Sequence, residues 1–72
     1  MENSMKFSVK SLIEHAHYFR SAFKKMNAEY EESLIGDEGN LVRFYVTCSH
    51  ESAKIMEDEV PIFAYADIGI VK

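Results

Sequence analysis

Seventy-two residues, 47% of them hydrophobic and 28% charged, suffice for one small domain and are too few for two. A core of that size stabilises by only about 3–5 kcal/mol, so such chains lean on disulfides, a metal or a partner subunit; a single cysteine, Cys48, excludes an internal disulfide. The net charge of −4 weakly opposes binding to phosphate backbones, the apolar content is too high for disorder, and no apolar run approaches the roughly 20 residues of a membrane span.

Residues 1–4 are polar and read as a disordered tail. No apolar signal segment opens the chain, and the lone thiol suits a reducing compartment, so the expectation is a cytoplasmic protein with no membrane contact. From Met5 to Lys10 apolar and polar residues alternate. That period of two predicts a strand over 5–10 with Met5, Phe7 and Val9 inward.

A long helix is predicted over 11–34. Leu12, Ala16, Phe19, Phe23, Met26 and Tyr30 recur at steps of four and three, which confines them to about 80° of arc. Ser11 and Glu14 have the spacing of a capping box at its start. Glu29, Glu31 and Glu32 sit where the helix dipole favours cations, so fraying is expected past Tyr30. Residues 36–40, Gly-Asp-Glu-Gly-Asn, form a turn.

The second strand spans 41–48. Val42, Phe44, Val46 and Cys48 share one face; Leu41, Arg43, Tyr45 and Thr47 share the other. Residues 49–59 suit a short helix capped by Ser49 or Ser52, with Ile55 and Met56 inward. A last strand is predicted over 60–71, where Pro61 is tolerated at the start. The expected fold is α+β in the order β-α-β-(short α)-β: a three-stranded antiparallel sheet of order 1-3-2, with the last strand central and the long helix on one face.

That arrangement leaves one sheet face bare, carrying Tyr45, Phe63 and Tyr65 with Arg43 and Val71 beside them. Clustered exposed aromatics have the composition of an interface core. The expected function is therefore protein binding through this face, as a homodimer or with a foreign protein. The alternative is single-stranded nucleic-acid binding, with bases stacked on the aromatics and Lys6, Lys10 and Arg43 on the same face.

Chemistry has little to work with. His15 and His17 lie two apart on the predicted helix and point in different directions. Cys48 with His50 lacks the further ligands that zinc requires. A Cys48–His50 nucleophilic pair would also need an enclosed pocket with an oxyanion site. Phosphate-binding glycine loops are absent, and 36–39 is acidic. No enzyme activity, cofactor or metal is expected.

Overall fold

A computed structural model describes residues 4–37, 39–65 and 67–70, with Ile70 through its backbone alone. The fold is α+β. Strands Ser4–Leu12 (β1), Glu29–Ile35 (β2), Leu41–Ser49 (β3) and Asp67–Ile70 (β4) form one sheet of order β2-β3-β1-β4. Every neighbouring pair is antiparallel. Helices Ala16–Lys25 (α1) and His50–Glu59 (α2) pack beside each other on one face of it. The chain order β-α-β-β-α-β, with β3 between β1 and β2, is the split, ferredoxin-like arrangement. That topology hosts many unrelated functions and by itself assigns none.

The structure departs from four expectations. The sheet has four strands, not three, because residues 29–35 are a strand rather than the end of a long helix. The left-handed Asn27, φ 54°, is the physical cause. Its N–H donates to Lys24 O and that of Ala28 to Phe23 O, the paired bonds of a Schellman cap with Asn in the glycine position. Tyr30, Glu32 and Leu34 then alternate onto the helix-bearing face, opposite Val46, Phe44 and Val42.

The helix also starts later than the capping box implied. β1 pairs with β3 through all nine residues, to Leu12 opposite Leu41. Ser11 is thereby a buried strand residue whose Oγ donates to Leu12 O, not a cap. A 3-10 turn over Ile13–His15 leads into α1. Ser4, expected in the tail, is already in β1; residues 1–3 lie outside the described ones.

The last strand is neither long nor central. Pro61 opens a 3-10 turn over Ile62–Ala64, closed by the Ala64 N–H on Pro61 O at 3.0 Å, and among the described residues of this stretch Asp67–Ile70 joins the sheet, at its edge. The centre goes to β1 and β3, whose long matched ladder outweighs the apolar content of 60–71. The short helix begins as expected. Ser49 caps α2, its Oγ accepting from the Ser52 N–H at 3.1 Å, and Met56 turns inward.

The core lies between helices and sheet. Phe19 and Phe23 of α1 meet Phe44 of β3 at ring-centroid distances of 5.8 and 5.3 Å. Tyr30 covers the same cluster from β2, 4.9 Å from Phe23. Burial of each phenylalanine contributes about 1.5–3 kcal/mol. Two ion pairs brace the helical layer: Arg20 to Glu32 ties α1 to β2, and Lys25 to Glu59 ties α1 to α2.

Candidate interaction surfaces

Among the described residues no element covers the face of the sheet away from the helices, and strand register orders this bare face into rows across β2, β3 and β1. Glu29, Thr47 and Lys6 form the first row. Glu31, Tyr45 and Ser8 form the second, with Gly69 of β4 beyond. Ser33, Arg43 and Lys10 form the third, followed by Asp67; Ile35, Leu41 and Leu12 form the fourth. Tyr45 is 46% exposed at the middle of this face. The β2 column to one side of it is acidic and the β1 column to the other is basic. Lys6, Thr47, Tyr45, Glu29 and Glu31 surround a shallow groove of about 390 Å³.

The expected aromatic cluster does not assemble on this face. Tyr45 and Arg43 of the five expected contact residues are there. Phe63 and Tyr65 are not, because the 3-10 turn after Pro61 takes them out of the sheet. Phe63 lies edge-on to His15 at 5.4 Å and to Tyr18 at 5.8 Å, and stays 62% exposed. Tyr65 turns into the helical layer, edge-on to Phe19 at 5.2 Å, with its hydroxyl 3.4 Å from Met56 O. Burial, and then the charge of Glu57, push its phenol pKa up. Val71 lies outside the described residues.

A second surface lies on the helical side of the sheet. Ile68 of β4 faces the helical side, yet α2 leans toward α1 and leaves it 49% exposed. The gap is an apolar cleft of about 460 Å³ whose walls include Met5, Phe7, Met56, Ile62, Tyr65 and Ile68. Glu57 is the charged side chain among the lining residues described. Ile62 on the cleft wall is 90% exposed, and Phe63, the next residue of the turn, is 62% exposed. The sequence signal was Pro61 followed by two large apolar residues: a proline turn leaves such side chains off the sheet.

The groups singled out for chemistry do not converge. Cys48 is buried on the inner face of β3 and burial pushes its thiol pKa up, away from an activated nucleophile. His50 is exposed in the first turn of α2. Among the described residues no three His, Cys, Asp or Glu side chains gather as a metal site, and no helix is long and apolar enough to cross a membrane. Compared with known proteins, the chain matches no family model, no curated protein and no solved structure.

Proposed function

We propose that this chain is a protein-binding module that pairs with a second copy of itself through the bare sheet face. One observation carries the reading: Tyr45 stands between an acidic column, Glu29 and Glu31, and a basic column, Lys6 and Lys10. A two-fold axis laid along β3 exchanges the columns. The acidic column of each copy then lies over the basic column of the other, Tyr45 meets its own copy on the axis, and Ile35 lies over Leu12. Isologous pairing requires this kind of self-complementary patch, and faces of sheets stack about 10 Å apart. Arg43 also meets its own copy on the axis, a like-charge row that the acidic column has to offset. The buried thiol of Cys48 suits the cytoplasmic setting included in this proposal.

Sedimentation velocity over a range of concentrations tests it. A concentration-dependent dimer that Tyr45→Asp dissociates, with the circular dichroism of the fold retained, is the expected result. A monomer at every concentration overturns it.

A second reading has its own support. Tyr45, Arg43, Lys6 and Lys10 share the central strands of an uncovered sheet, the layout of a base-stacking platform. Glu29, Glu31 and Asp67 on the same face offset those cations, so the electrostatic funnel such sites use is missing. We place this reading second.

A further inference from the structure

We infer that the cleft between α2, β4 and the turn after Pro61 is a second docking site, and that its occupant is an amphipathic helix carrying Lys or Arg beside its apolar stripe. It lies on the helical side of the sheet and is independent of the pairing face. Three observations choose the occupant. The cleft, about 460 Å³, is of ligand-pocket size and its walls are mostly apolar. Ile62 on its wall is 90% exposed, and Phe63, next in the chain, is 62% exposed against His15 and Tyr18, so large apolar side chains stand open to a partner's side chains at and beside the cleft. Met5 and Met56 in the walls are unbranched and adaptable, the composition of grooves that accept helices.

Charge then sets the class. The carboxylate of Glu57 stands at the cleft, close enough to Tyr65 to disfavour its phenolate, and it makes no ion pair among the described residues. No basic side chain lines the cleft among those described. An anionic ligand such as a fatty acid would meet repulsion, whereas a helix with a cation one turn from its apolar anchors would pair with Glu57. Of the exposed charges nearest it along α2, Lys54 lies one turn before Glu57 and Asp58 one residue after it, and neither is among the lining residues of the cleft.

Fluorescence anisotropy with the intact protein tests this, using a labelled amphipathic peptide of Leu and Lys and its counterpart of Leu and Glu. The Leu/Lys peptide is expected to bind, and more tightly than the Leu/Glu peptide by about tenfold or more. Ile62→Asp, at a side chain the fold does not bury, should abolish binding, and Glu57→Lys should invert the preference. Binding of neither peptide overturns the inference, as does equal binding of both, or binding indifferent to Ile62→Asp. Sedimentation of Ile62→Asp separates this site from the pairing face: loss of the dimer in that variant would make the cleft a self-contact and overturn the inference, while an unchanged dimer supports it.

Discussion

Glu29 and Lys6 occupy one row of the bare sheet face and do not meet, because Thr47 of β3 stands between them. Two strand spacings, about 10 Å, separate their columns, and the two side chains make no ion pair with each other among the described residues. Each is therefore left to find its opposite charge elsewhere. In the proposed pair it does so in the second copy, twice over by symmetry. Glu29→Lys and Lys6→Glu should each weaken the dimer, and the two together should restore it, since swapping the columns keeps them complementary. Sedimentation equilibrium at low salt reads the three dissociation constants. A double variant no tighter than the single ones would place the contact on another surface.

The nucleic-acid reading makes the opposite demand on that face. A labelled polypyrimidine strand titrated at low ionic strength should show no binding, because counterion release from three cations is offset by neighbouring carboxylates. Tight binding that weakens steeply with salt and is lost in Tyr45→Ser would reverse the order of the two readings.

Much of this architecture was legible in the residues, and the failures have physical causes. The alternations 5–9 and 42–48 each marked a strand with its inner face correctly assigned, because a half-buried strand leaves no freedom in its period. Residues 26–35 suit a helix as well as a strand because Tyr30 satisfies two periods at once. It continues the helical stripe from Phe23 and Met26, and it also alternates with Glu32 and Leu34. Asn27 was the deciding residue: short polar side chains tolerate the left-handed region that ends a helix. The acidic run at 29–32, poorly placed for a helix terminus, pointed the same way. On the bare face Tyr45 and Arg43 followed from β3 alone. Phe63 and Tyr65 depended on a strand that Pro61 converts into a turn.

The cap on α1 is testable. At φ 54° Asn27 bears a strain that glycine would not. Asn27→Ala should lower the unfolding free energy by about 1 kcal/mol, and Asn27→Gly should leave it unchanged or raise it slightly. Urea denaturation followed by circular dichroism measures both. Equal stability of the two variants would mean the helix stops for some other reason.

The Arg20–Glu32 pair gives a pH signature. Arg20 donates through Nε at 3.0 Å and through Nη2 at 2.7 Å, and this fork holds the Glu32 carboxyl below the usual carboxylate range. A carboxyl depressed in the folded state contributes stability above its unfolded pKa and loses it as pH falls through the folded one. Both side chains are more than a third exposed, so the contribution is a fraction of a kcal/mol, about 0.2–1. The stability gap between the wild type and Glu32→Gln should be present at neutral pH and close on acidification. A gap that persists in acid would assign the effect to packing of the side chain.

Cys48 offers a probe of the whole sandwich. It is 6% exposed on the inner face of β3, and burial raises its thiol pKa. A raised pKa leaves little thiolate at neutral pH, and burial bars the reagent, so labelling has to wait for the sheet to open. The reaction of the native protein with a disulfide reagent should be slower than that of a free cysteine by about a hundredfold or more, and should accelerate with urea in step with unfolding. Fast labelling of the folded protein, insensitive to urea, would mean an accessible thiolate, and with it the nucleophile that the buried position of Cys48 argues against.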